Sequence, residues 1–252
     1  PAIEQPTKDD LNQVFDHPHN IVNLRAESGH APGHTRIGWY RAVYAIFYGF
    51  SVNSFMDEMA RKLGEDPYQF MRKTLMNNKD PAQSEKVNRS IGVLDLAAQK
   101  ANWNKKRTKN RGIGIAVYHS FRSYLAMAVE VEINGDDVKV VKVDCAVDCG
   151  QVLNKDIATA QMEGAVVMGI SFAKYTEIDF ANGAVVNSNF HDYPVMRISD
   201  MPEVRVHFAE NDYPPTGLGE PGVPTFAPAF ANAIVDAGGK RHRSLPIKPT
   251  RT

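Results

Sequence analysis

The chain has 252 residues, 43% of them hydrophobic, enough for one large domain or two small ones with a sizeable core. Its 29 Lys and Arg balance 29 Asp and Glu, so net charge gives no support for nucleic acid or an anionic membrane surface as partner. Two cysteines, Cys145 and Cys149, are too few for a disulfide framework, no apolar run is long enough to cross a bilayer, and no signal peptide leads the chain. The first residue is Pro1 rather than Met, so the chain reads as a processed product or a piece of a longer protein.

Residues 1–38 show little periodicity and carry His17, His19, His30 and His34 among prolines and glycines. Pro32-Gly33 separates His30 from His34 and rules out helical ligand spacing, so this stretch reads as a loop wrapping over something else rather than a metal site. A helix is expected from about Phe50 to Leu63, with Val52, Phe55, Met56, Met59, Ala60 and Leu63 inward and Asp57, Glu58, Arg61 and Lys62 on the other side. Asp66-Pro67 caps and starts a second helix through Phe70, Met71 and Leu75. A third is expected over Ser84 to Lys100, with Val87, Ile91, Leu94 and Ala98 inward. The basic run Lys105 to Arg111 has no interleaved aromatics, so a solvated connector is favoured over a nucleic-acid patch.

Beyond it the pattern turns to strands: Gly112 to His119, Leu125 to Ile133 and, after an Asn134-Gly135 turn, Val138 to Val147. Cys145 and Cys149 would share one strand face as buried thiols. Asn154 caps a helix through Ile157, Gln161, Met162, Ala165 and Met168. Ala160, Gly164 and Gly169 are small enough for close approach by a backbone or a flat ligand, and plain helix packing explains them equally. A hairpin from Lys174 to Ser188 turns at Asn182-Gly183, and Val204, Val206 and Phe208 alternate as one more strand. Helices followed by strands with helices between them give an α+β fold with mixed sheets and flanking helices, divided at 1–110 and 111–252.

The last stretch is the most informative. Gly217-Leu218-Gly219-Glu220-Pro221-Gly222-Val223-Pro224 surrounds one carboxylate with glycines and prolines and runs into a helix that stops at Gly238-Gly239. Pro224 and Pro228 suit a first turn. Glu220 therefore sits just before a helix N-terminus, where negative charge is favoured and a ligand finds close backbone, as a general base requires. The same placement also describes a first-turn charge on an ordinary helix.

Taken in order, the motifs resemble the molybdenum-binding subunit of the xanthine oxidase family of molybdenum hydroxylases, in particular the isoquinoline 1-oxidoreductase beta-subunit and aldehyde dehydrogenase type. The residues that carry the resemblance are Ala146-Val147-Asp148-Cys149-Gly150 with Asn154, Ala160-Gln161-Met162-Glu163-Gly164, Asn189-Phe190-His191-Asp192-Tyr193-Pro194, the Gly217 to Pro224 segment, and Leu245-Pro246-Ile247. Upstream, Gly38-Trp39-Tyr40-Arg41 and Gly64-Glu65-Asp66-Pro67 resemble the start of the family's second molybdenum-binding domain.

The resemblance implies molybdenum on molybdopterin, in its cytosine dinucleotide form, with no side chain binding the metal. It implies hydroxylation or oxidation of an aldehyde or aromatic N-heterocycle with water as oxygen source, and electrons leaving through iron–sulfur clusters on a partner. Glu220 maps to the family's base, Gln161 to a pterin contact, and Gly217 and Gly219 to the cofactor-facing loop. Arg41 aligns with a position that contacts substrate in purine-oxidising members, and His191 and Tyr193 would line the pocket mouth. A capping amide for Gln161, a surface ion pair for Arg41 and a structural His191–Asp192 pair with a buried Tyr193 are the competing readings.

The family's first molybdenum domain, its Gly-Gln-Gly segments and its iron–sulfur cysteines have no counterpart here. A companion chain with the first domain, an iron–sulfur subunit and a cytochrome c subunit are therefore the implied partners, besides a small-molecule substrate. The implied setting is the bacterial periplasm or a membrane-associated complex. A non-catalytic assembly module without metal is the alternative. Metal-free hydrolysis by Glu220 with Asp192 is weak, because no spacing brings the two carboxylates together.

Overall fold

A computed structural model describes residues 17–27, 29, 35 and 38–248. The His30–His34 question and residues 1–16 of the expected N-terminal loop lie outside them. The elements in order are α1 (Ala45–Lys62), α2 (Pro67–Met76), a 3-10 turn (Pro81–Gln83), α3 (Ser84–Lys100), β1 (Arg111–Ser120), β2 (Ser123–Asn134) and β3 (Asp137–Asp148). They continue with α4 (Lys155–Lys174), the two-residue strands β4 (Phe180–Ala181) and β5 (Ala184–Val185), a second 3-10 turn (Ile198–Asp200), β6 (Glu203–Phe208) and α5 (Val223–Asp236). The architecture is α+β, as the residue pattern implies. The main sheet has the order β1-β2-β3-β6, with β1, β2 and β3 antiparallel and β6 parallel to β3.

Strand alternation sorts the side chains onto the two faces of this sheet. Ile113, Ile115, Val117, Ala126, Ala128 and Ala146 turn to α3 and α2, against Val93, Leu94, Ala97, Met71 and Leu75. Leu125, Met127, Val129, Val143, Cys145 and Val147 turn the other way, to α4 and α5. Both cysteines are buried free thiols on that second side.

Helix α5 is the centre of the molecule. Every residue from Val223 to Ile234 is buried, and the fully buried rings of Phe226 and Phe230 stack at 5.8 Å. Each such ring contributes about 1.5–3 kcal/mol of transfer free energy. Glycines admit the neighbours that surround it. A Cβ on Gly114 of β1 would lie 2.2 Å from α5 backbone and one on Gly112 2.5 Å from it, one on Gly169 of α4 would lie 2.6 Å from Phe226, and one on Gly49 of α1 would lie 2.7 Å from the Pro224 carbonyl. Pro228 sits inside α5 rather than in its first turn. It withholds the donor that the Pro224 carbonyl would otherwise receive, and Gly49 of α1 abuts that carbonyl. The helix ends as expected, with Gly238 at φ 91° and Gly239 N–H donating to Ile234 O at 2.8 Å.

Three local expectations are corrected. Helix α1 starts at Ala45, and its inward face is Ile46, Gly49, Asn53, Met56, Asp57 and Ala60, while Phe55 and Leu63 are more than half exposed. Asp57 is fully buried, not on the solvent side, because it receives Arg61 from one turn on and Arg241 from the C-terminal segment. Lys174 belongs to α4, so the following hairpin shrinks to β4 and β5 around Asn182-Gly183, both with positive φ.

Elsewhere the predicted caps are present. Asp66 accepts from Gln69 N–H at 2.9 Å and Asn154 from Ile157 N–H at 3.0 Å. In the basic run Lys105, Lys106 and Lys109 are exposed, whereas Arg107 folds back onto the Ala101 and Trp103 carbonyls that end α3. Among the described residues no helix is long and apolar enough to cross a membrane.

Candidate active site

Two segments far apart in sequence meet at the N-terminal end of α5. One is the loop from Thr216 to Gly222. The other is a tight turn at Tyr40–Tyr44, just before α1. Ala42 and Val43 both have left-handed backbone, at φ 75° and 50°, which is costly for Ala and more so for β-branched Val. The turn is held by a small cluster in which Ala42, Ala45 and Ile46 pack on Ala165 of α4 and Val223 of α5. Its effect is to aim the Ala42 N–H at the Glu220 carboxylate, with Oε1 accepting at 3.0 Å. Glu220 thus places negative charge where α1 and α5 both begin, near the positive ends of two helix dipoles. Among the described residues no second hydrogen bond reaches the Glu220 carboxylate, so Oε2 has no donor among them.

Arg41 ties the parts together. Its Nε donates to Gly219 O at 2.6 Å, and one terminal nitrogen donates to both Gln161 O and Gln161 Oε1, at 3.2 and 3.1 Å. Burial lowers the Arg41 pKa and the nearby Glu220 charge partly offsets this. The Gln161 side chain is exposed, and its amide nitrogen has no partner among the described residues. A Cβ built on Gly219 would meet nothing within 4 Å, so the backbone there faces open space. Gly217 accepts from the Ser123 hydroxyl at 2.7 Å, and its Cβ position lies 3.3 Å from Phe121 O. Gly222 lets the loop come down on α4, where a Cβ would lie 2.6 Å from that of Ala165. Gly164 borders Arg41, at 3.6 Å.

Five of the seven sequence-derived candidates therefore fall into one group: Arg41, Gln161, Gly217, Gly219 and Glu220. Tyr193 lies at its edge, close enough that, after burial, its phenol is the next cause raising the Tyr40 pKa. His191 is not drawn in. Its side chain is 74% exposed and 3.7 Å from Asp192, with no bond to the group. Asp192 is occupied by the Asn189 and Ser188 N–H groups, which hold its carboxyl down to about 2.

The residues missed in the sequence are the Ala42 N–H, whose role depends on a left-handed turn that no Gly or Asn announces, and the Phe121-Arg122 turn beside Gly217. Both Phe121 and Arg122 have positive φ, at 52° and 64°, in a two-residue hairpin normally signalled by Asn-Gly.

Chemically the group offers a carboxylate oxygen without a donor, an amide able to donate and accept, and approachable backbone at Gly219. That set fits a flat heterocycle rich in hydrogen-bonding atoms beside a proton acceptor. Among the described residues no group of three or more His, Cys, Asp or Glu is placed to hold a metal ion.

Comparison with known proteins bears on the same chemistry. Residues 119–202 match the family model of the molybdopterin cofactor-binding domain. The beta subunit of isoquinoline 1-oxidoreductase from Brevundimonas diminuta is 35% identical over 206 residues, covering 79% of this chain and 25% of that protein. A membrane-bound aldehyde dehydrogenase (pyrroloquinoline-quinone) from Gluconacetobacter polyoxogenes is 32% identical, covering 85% of this chain and 29% of that protein. The fold matches the crystal structure of quinoline 2-oxidoreductase from Pseudomonas putida 86 with a TM-score of 0.72 at 14% identity, over 85% of this chain and 52% of that one. The chain spans about a quarter of the length of the curated relatives it matches. Residues 119–202 thus carry a molybdopterin cofactor-binding domain, and most of the chain is similar to a part of these oxidoreductase subunits.

Proposed function

We propose that this chain supplies the proton-accepting part of a molybdopterin-dependent oxidoreductase that hydroxylates or oxidises an aldehyde or an aromatic N-heterocycle. The observation that carries the proposal is the convergence of Glu220, Ala42 N–H, Arg41 and Gln161 at the start of α5. When bound, the molybdenum–molybdopterin group supplies oxygen transfer and two-electron oxidation. Gln161, through its amide, and Gly219, through its open backbone, would hold the pterin side of that group. Glu220 keeps Oε1 on the Ala42 N–H and receives a proton at Oε2 from a hydroxyl presented in front of it. Arg41 fixes the Gly219 carbonyl and Gln161, which holds carboxylate and amide in register. Tyr193 and Arg41 border the substrate side, with His191 further out on the exposed segment.

The finer features belong to the same proposal: the cytosine dinucleotide form, electron transfer to iron–sulfur clusters on a partner, a companion chain with the first molybdenum domain, a cytochrome c subunit, and a periplasmic or membrane-associated setting. The division at 1–110 and 111–252 is likewise part of it. The exposed apolar side chains of Leu153 and Ile157, 83% and 63% accessible and on the approach to Gln161, support a covering companion.

Native mass spectrometry of the purified material, with molybdenum analysis of the same sample, tests the reading. The expected result is this chain in a larger assembly with about one molybdenum per site. A metal-free chain that travels alone under all conditions would favour the non-catalytic module.

A further inference from the structure

The loop that carries Glu220 is attached at an unusual place. Asp148 ends β3 and is almost wholly buried, as is Arg89 of α3. Arg89 Nε donates to Asp148 Oδ2 at 2.9 Å and a terminal nitrogen to Oδ1 at 2.7 Å, while the other terminal nitrogen reaches Glu85 at 3.0 Å. The guanidinium plane is covered on two sides, with the rings of Tyr124 from β2 and Tyr213 from the loop each 4.4 Å away. Burial alone would raise the Asp148 pKa, but bonds from Arg89, Asn211 and the Gly150 N–H outweigh it and hold the carboxyl below its usual range.

On the Asp148 side, the bonds around this ion pair lead into the same loop. Asn211 Nδ2 donates to Asp148 at 2.9 Å, and Asn211 Oδ1 accepts from Tyr213 N–H at 3.1 Å. Gln151 N–H donates to Tyr213 O and Thr216 N–H to Cys149 O, both at 2.9 Å. Gly150, at φ 71°, passes so close beneath that a Cβ would lie 2.3 Å from Pro214 O. The Ser123 hydroxyl then holds Thr216 and Gly217, both at 2.7 Å. Three residues further on comes Glu220.

We propose that Arg89 is a positioning residue for Glu220: gripped between Tyr124 and Tyr213 and paired with Asp148, it fixes the loop from Ala209 to Gly222 so that the carboxylate meets the Ala42 N–H. The proposal rests on the reading of Glu220 as the base. It differs from a general stabilising role, because Arg89 makes no contact with Ala42 or Glu220 and acts on them only through the loop.

Hydrogen exchange of the full 252-residue chain, read amide by amide, tests this with two variants. Arg89→Met keeps the stem and removes both the ion pair and the stacked plane. Tyr213→Leu removes one covering ring and leaves the Arg89–Asp148 pair in place, so it decides the matter if the first variant does not fold. The expected result is exchange at Gln151, Thr216 and Ala42 faster by about tenfold or more than any change at Phe230 and Ile234 of α5, a local opening rather than global unfolding. Arg89→Lys should restore the protection in part. Equal acceleration everywhere, or protection at Ala42 unchanged while Thr216 opens, would overturn the proposal. The base assignment is tested separately by Glu220→Gln turnover. A loosened loop with turnover intact in that variant would keep the clamp and remove the base. An unmoved loop with turnover lost would do the reverse.

Discussion

Gly114→Ala is the sharpest test of how the fold holds the site. The added Cβ would lie 2.2 Å from Ala229 O, 2.3 Å from Ala233 N and 2.8 Å from Asn232 C, all backbone atoms of α5. The nearest of these is about 1.3 Å inside the ~3.5 Å of a favourable contact, so strand or helix must move by about 1 Å. Overpacking costs about 1–3 kcal/mol where side chains rearrange. Here the obstacle is the backbone of a helix buried on all sides, which places the cost at the top of that range. About 3 kcal/mol corresponds to roughly 6–12 °C in Tm for a chain of this size. Gly92→Ala provides the control: nothing lies within 4 Å of its Cβ position in α3, and Ala is better than Gly in a helix by about 1 kcal/mol. Thermal melts followed by circular dichroism should show the first variant well below the parent and the second level with it or slightly above. A Gly114→Ala variant melting within about 2 °C of the parent would refute the close packing of α5 described above.

Two further outcomes follow from buried charge. Asp57→Ala leaves Arg61 and Arg241 without their shared carboxylate in a closed site, and urea unfolding should show a loss of about 3–5 kcal/mol. His19 is buried with Nδ1 2.8 Å from the Thr74 hydroxyl, and burial, reinforced by His17, lowers its pKa from 6.5 to about 3. The folded form therefore resists a proton that the opened form accepts. The anchoring of residues 17–20 on α2 is complete above pH 6.5 and weakens as pH falls from there towards 3. Exchange at the Asn20 amide, bonded to Thr74 O at 2.9 Å, should accelerate over that range beyond its intrinsic pH dependence. His19→Gln should flatten the response, and an unchanged slope in that variant would assign it to another group.

Much of this molecule was legible because its signals are local. Asp66 and Asn154 cap the helices they precede, Gly135 turns the β2–β3 hairpin one residue after the paired Asn134, and Gly238 stops α5. The Glu220 loop stood out because glycine and proline crowd around one carboxylate. What was hidden depends on distant partners. Asp57 reads as solvent-facing beside Glu58, Arg61 and Lys62, and the spacing does not show that Arg241, 184 residues away, joins Arg61 in compensating its buried charge. Nothing in the spacing of Val204, Val206 and Phe208 says that β6 runs parallel to β3. Pro228 looks like a first-turn proline until α1 is seen against the carbonyl it leaves free. The left-handed Ala42 and Val43 carry no residue signature at all, yet they aim an N–H at the Glu220 carboxylate.

The central claim is that Glu220 is the proton acceptor of a molybdenum-dependent oxidation. Substrate-driven dye reduction by the complete assembly, compared between the parent and Glu220→Gln at equal molybdenum content, tests it most directly. Glutamine keeps an oxygen for the Ala42 N–H and cannot take the proton, so the account predicts a fall in rate of about 100-fold or more with molybdenum content and melting unchanged. A variant that turns over within about tenfold of the parent would contradict it.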